Sequence, residues 1–115
     1  MMATDVILLE RIRTALLAQS VEWREIQMFG GHCFMVDEKM CLGTYKGGLM
    51  ARVGPDAAEK YVEHTGAAQM IHGGRPMKGY LLVEPDGFED DADLKFWIET
   101  CLAFNPQARS SKKKA

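Results

Sequence analysis

No stretch of this 115-residue sequence approaches the ~20 consecutive apolar residues that a helix needs to cross a bilayer. The longest apolar run near the N-terminus, Val6 to Leu9, gives way at once to Glu10, Arg11 and Arg13. A soluble chain with no membrane partner is the expectation. Cysteine is scarce: Cys33, Cys41 and Cys101 are an odd number at no metal-ligand spacing, and no secretory leader precedes them, which points to a reducing cytoplasm. Basic charge is scarce as well. The formal charge is 14 basic minus 16 acidic, or -2, yet Arg109, Lys112, Lys113 and Lys114 all lie in the last seven residues, and without them the balance is 10 minus 16, or -6. Counterion release requires clustered Lys and Arg, so direct nucleic-acid binding is not expected of so acidic a body.

The signatures of catalysis and cofactor binding are missing too. Phe29-Gly30-Gly31-His32 joins two strands and lacks both a Gly-Lys-Ser/Thr sequence and a following helix, so a glycine pair permitting a tight turn or bulge explains it better than a phosphate cradle. Gly73-Gly74 reads the same way. Ser20, Ser110 and Ser111 stand outside any nucleophile elbow. The acidic segment Glu84 to Asp93 lacks the ligand alternation of a calcium loop and is explained by helix capping. No spacing of Cys33 or Cys41 with His32, His64 or His72 supplies a thiol nucleophile with its base or four ligands for zinc, so buried structural thiols are the reading. No catalytic residue, metal or cofactor is expected.

A length of 115 residues with 47% hydrophobic and 26% charged content specifies one ordinary packed domain. Its boundaries are read as 1–105, followed by a basic tail, 106–115. A first helix carries Leu9, Ile12, Leu16 and Leu17 on one side and starts at Thr4 or Asp5. Four strands follow as a meander: Val21 to Phe29, His32 to Val36, Met40 to Tyr45 and Leu49 to Val53. Gly54-Pro55-Asp56 opens a second helix with Ala58, Tyr61, Val62 and Thr65 inward, stopped by Gly66. Gln69 to His72 is a short strand, Gly73-Gly74-Arg75-Pro76 a turn, and Gly79 to Val83 a further strand. A last helix, capped by Asp90 or Asp91, buries Leu94, Trp97, Ile98, Cys101 and Leu102. This order describes an α+β fold: a mostly antiparallel meander sheet flanked by three helices.

With Gly47-Gly48 as a two-residue hairpin loop, Gly43 falls opposite Arg52. One face then carries Leu42, Thr44, Leu49, Ala51 and Val53, and the other Cys41, Gly43, Tyr45, Met50 and Arg52. His32 to Val36 is apolar on both sides, so both faces of the sheet require cover, and a partner subunit is the candidate for part of it. A two-residue loop after Val36 sets Cys33 and Cys41 on opposite faces; a three-residue loop centred on Asp37 sets them side by side. Arg52, Arg75, Lys78, Tyr45 and Tyr80 form the one concentration of cationic and aromatic groups on the sheet. They are the candidate site for an anion or small molecule, and as such must converge on one pocket.

Met28-Phe29-Gly30-Gly31-His32, Val36-Asp37-Glu38-Lys39-Met40, Leu49-Met50-Ala51-Arg52-Val53 and Gly74-Arg75-Pro76-Met77-Lys78-Gly79-Tyr80 occur in this order. Together they resemble the N-terminal domain of the TfoX/Sxy family of competence regulators, here without the C-terminal domain of the full-length regulators. The resemblance implies a secretion-chaperone-like α+β domain, often dimeric, with no known catalytic residues. It implies a regulatory module with a homodimeric partner or a protein partner in transcription; the alternative is a sensor built on the basic and aromatic sheet face.

Overall fold

The computed structural model describes residues 2–28 and 31–108, and within them all side chains except those of residues 2–5 and Met28. Phe29 and Gly30 of the first motif, and the basic tail from Arg109 onward, lie outside the described residues.

Helix α1, Met2–Ala18, begins ahead of Thr4 and Asp5, so neither is its N-cap. It turns Leu8, Ile12 and Leu16 into the core. These stand four apart, whereas Leu17 is one residue and ~100° further round the helix and is 68% exposed instead of inward. Strands β1 (Arg24–Met28), β2 (Gly31–Val36), β3 (Lys39–Tyr45) and β4 (Gly48–Arg52) form the expected meander. Helix α2, Pro55–Tyr61, ends before Thr65, which is exposed and outside its inner stripe. Strands β5 (Ala67–His72) and β6 (Arg75–Val83) complete one antiparallel sheet of order β1-β2-β3-β4-β6-β5. Helix α3, Asp91–Phe104, buries Leu94, Trp97, Ile98 and Cys101, with Leu102 half-buried. Asp90 stands at its N-cap position with no side-chain capping bond. All three helices lie against one sheet face, so the fold is α+β.

Several boundaries moved for identifiable reasons. Gly73 and Gly74 both take positive φ and make a two-residue turn unaided, so Arg75 and Pro76 belong to β6 instead of the turn. β4 reaches only Tyr80–Val83 of β6, which leaves the Pro76 half with a single neighbour, where a missing N–H is tolerated. The β3–β4 loop is Lys46-Gly47, not Gly47-Gly48. Gly48 is held in β4, where a Cβ would come within 2.8 Å of the Val83 carbonyl oxygen. The register moves by two residues in sum, so the face with Leu42, Thr44, Leu49, Ala51 and Val53 is as expected, but Gly43 pairs with Met50 and not with Arg52. At the C-terminus, Asn105–Gln107 form a 3-10 turn and Ala108 is buried, so the folded body extends past 105.

The β2–β3 turn is two residues, Asp37-Glu38, and a bulge in β3 adds Cys41 to the helix-side face beside Leu42. Cys33 and Cys41 are therefore on opposite faces, and Cys41 leaves the face it was assigned. Gly43 matters for the same bulged pair: a Cβ there would meet the His32 carbonyl oxygen at 2.5 Å and the Cys33 Cα at 3.1 Å. Its role is close backbone approach to β2.

Candidate functional site

The sheet face away from the helices has its own core of Cys33, Met35, Met40, Tyr45, Met50 and Met70, all 0–6% exposed. Ile26, Met77, Tyr80 and Leu82 pack around it. The cover comes from within the chain. In a flat sheet β3 and β5 would stand three strand spacings, ~14 Å, apart. Yet the Tyr45 hydroxyl on β3 and Nδ1 of His72 on β5 are 3.0 Å apart, with the rings edge to face at 5.7 Å. The β5–β6 hairpin coils over the outer face and inserts Met70 and Met77.

A break in the β5–β6 ladder permits that bend. Gln69 pairs with Leu81 and Ile71 with Pro76, so three extra residues of β6 are looped out between them. Gly79, in the loop-out, has φ 85, and its carbonyl accepts from the Val53 and Gly54 amides at 3.0 Å. The Gln69 side-chain amide fills the gap in the ladder, donating to the Met77 carbonyl at 2.7 Å and the Met70 carbonyl at 3.0 Å. The Gly74-Arg75-Pro76-Met77 motif is thus the return limb of this arm.

The five site candidates are distributed by the same geometry. Arg52 lies over the Tyr80 ring at 5.5 Å, its register partner on β6, and donates to the Met40 carbonyl at 3.1 Å. Burial raises the Tyr80 hydroxyl pKa. Tyr45 is tied to His72 and has Lys46 over its ring at 5.3 Å. Arg75 is exposed at the hairpin tip. Lys78 lines a groove of about 440 Å³ on the α2 side with Asp56, Glu59 and Gln69. Arg52 with Tyr80 is a stacked pair, Tyr45 meets His72 with Arg75 as the cross-strand partner of that histidine, and Lys78 lines the α2-side groove.

Burial pushes the Cys33 thiol up to about 11 and the Cys41 thiol to about 12, and raises that of Cys101 further from ionisation at neutral pH. Thiols held protonated in a core are poor nucleophiles and pack as small apolar groups.

Two clusters escaped the sequence reading. Glu25 on β1 accepts from Arg13 Nε and Nη2 at 2.9 and 2.8 Å and from Trp23 Nε1 at 2.8 Å, and its carboxylate lies 2.8 Å from His32 Nε2. The bidentate Arg13 contact foremost holds this carboxyl down at about 2. It joins α1 to the β1–β2 hairpin at the first motif. Tyr61, His64, Phe96 and Trp97 form the second cluster across α2 and α3, with His64 stacked on Phe96 at 5.1 Å. The first draws on the consecutive elements α1, β1 and β2 and the second on the end of α2 and on α3, and neither follows the period of a single helix or strand.

Residues 15–105 match the family described as the TfoX N-terminal domain. That span runs from the end of α1 through α3 to Asn105 and includes the buried residues of both cores except Leu8 and Ile12 of α1. The chain belongs to the TfoX N-terminal domain family. No curated protein and no solved structure matches it. In this TfoX N-terminal domain the family motifs are hairpin and bulge elements: Gly31 opens β2, Met50 and Arg52 lie on the outer face of β4, and Gly74 to Tyr80 forms the arm that covers them.

Proposed function

We propose that this TfoX N-terminal domain is a non-enzymatic regulatory module of the cytoplasm that works by binding other polypeptide chains, its own copies included. The transcription apparatus is the first partner to test, because the full-length regulators of the family act in competence. The carrying observation is the closure of both sheet faces within one chain: the outer face holds six side chains at 0–6% exposure. Arg52, Tyr80 and Tyr45, the groups best suited to grip a ligand on that face, are engaged with each other, with Met40 and with His72. The sheet edge and the outer sides of the helices remain open for recognition, and such surfaces suit a macromolecular partner.

In-cell cross-linking of the tagged full chain, read by mass spectrometry alongside native mass spectrometry of the purified protein, tests this reading. Cross-links at high yield to a transcription factor or polymerase subunit, or to another copy, are expected. Retention of a small molecule with no cross-linked polypeptide overturns it in favour of a sensor.

A further inference from the structure

An open groove of about 510 Å³ runs between the start of α2 and the C-terminal half of α3. Tyr61, Phe96 and Phe104 line it and are half-buried, so their rings form an apolar wall. Gly54 shapes the floor: its φ is 93, and a Cβ there would come within 2.4 Å of the Phe104 ring, which therefore lies directly on the backbone. Asp56 and Glu99 stand along the groove as exposed carboxylates, and no Lys, Arg or His is among the described residues that line it. Glu99 accepts from Gln19 Nε2 at 3.2 Å and lies 3.9 Å from Lys95 Nζ, both through Oε2, which leaves its other oxygen to the groove. Aromatic faces bordered by carboxylates suit a cation on an apolar stem, the chemistry of a lysine or arginine side chain.

The chain carries such side chains beside the groove. Gln107 lines the groove, Arg109 follows two residues later, and residues 109–114 read Arg-Ser-Ser-Lys-Lys-Lys. Six residues span up to about 20 Å, whereas the groove runs only about 12 Å along α3 from Phe96 to Phe104. The lysines thus have the reach for both carboxylates. Covalent attachment places them there at an effective concentration of order millimolar, ahead of a free basic segment of the same charge. The Glu84 to Asp93 loop is more acidic, but α3 rises about 20 Å from Asp91 to Phe104, and Arg11 already donates to Asp91 and to the Phe88 carbonyl.

We propose that the groove between α2 and α3 is the docking site of the chain's own basic tail, with Lys112 to Lys114 paired to Asp56 and Glu99 and their stems on the aromatic wall. The contact is independent of the polypeptide-binding reading, and a partner that uses this face must displace the tail. Exposed ion pairs are individually weak, so docking is reversible and sensitive to salt.

Carbodiimide coupling of the full chain, which joins amines to carboxylates in direct contact, tests the proposal when the joined peptides are read by mass spectrometry. The tail lysines should couple to Asp56 and Glu99 about fivefold more than to carboxylates of the Glu84 to Asp93 loop, and about 1 M salt should abolish the preference. An equal mixture of isotope-labelled and unlabelled chains should give joined peptides of one label only. Asp56→Lys with Glu99→Lys, combined with Lys112→Glu, Lys113→Glu and Lys114→Glu, should restore the coupling with its polarity reversed. The tail reversal alone should move the backbone amide resonances of Ala57, Thr100 and Ala103 and leave those of β2 and β3 in place. Coupling spread evenly over the surface, concentrated on the Glu84 to Asp93 loop or absent overturns the assignment, as do groove resonances indifferent to the tail reversal. Joined peptides of mixed label place the tail on a second copy and overturn docking within one chain.

Discussion

The Tyr45 hydroxyl and His72 Nδ1 are 3.0 Å apart although β4 and β6 lie between their strands in the sheet. That contact measures how far the sheet coils, and it ties the tip of the β5–β6 arm over the methionine-rich outer core. The arm is held by Met70 and Met77 within that core, by Gln69 across the looped-out segment, and by this one side-chain bond at its end.

Tyr45→Phe keeps the ring and removes the bond. Amide exchange in the His72 to Arg75 tip should speed up about fivefold, the equivalent of ~1 kcal/mol in local opening, with β2 and β3 changing far less. Equal acceleration throughout the sheet would mean that the bond supports the whole fold and not the arm.

Glu25 gives a pH dependence of known sign. Its pKa is lowered in the folded chain from 4.5 to about 2, so its contribution to stability is complete above the ordinary carboxylate value and is lost as pH falls towards the folded one. Glu25→Gln should therefore be less stable than the wild type by about 1–3 kcal/mol at neutral pH. Denaturant midpoints should converge between pH 4.5 and about 2. A gap that persists unchanged at the acid end would contradict the assignment.

Ser20 follows α1 at φ 60, with its amide donating to the Leu17 carbonyl at 3.1 Å. A non-glycine residue in this left-handed position costs ~1–2 kcal/mol, of which the greater flexibility of an unfolded glycine chain takes back part. Ser20→Gly should raise stability by about 0.5–1 kcal/mol, visible as a melting temperature several degrees higher. A lower melting temperature would show that the serine makes a compensating contact.

Much of the architecture was legible because period and punctuation are local properties. Leu94, Trp97, Ile98 and Cys101 mark the buried side of α3, and the alternation in Leu42, Thr44, Leu49, Ala51 and Val53 marks the helix-side face. The apolar pattern of His32 to Val36 on both sides correctly required cover for a second face. What supplied the cover was not legible. It depends on a three-residue loop-out in β6, filled by Gln69, and on Gly79 at positive φ, and neither changes the hydropathy pattern. The candidate site was partly legible: Arg52 and Tyr80, both named from the sequence, do form a stacked pair, and strand order is what makes them register partners.

By itself the sequence determined the class of the fold, the identity of most strands and helices, the family, and the need to bury both sides of one sheet, since all of these follow from residue type and short-range spacing. Only the tertiary structure decided which strands are neighbours, that Cys33 and Cys41 face opposite cores, that Arg52 meets Tyr80 while Tyr45 meets His72, and that β5 is an outermost strand. Those outcomes turn on bulges, coiling and strand order, which bring residues tens of positions apart into contact and leave no periodic trace in the chain.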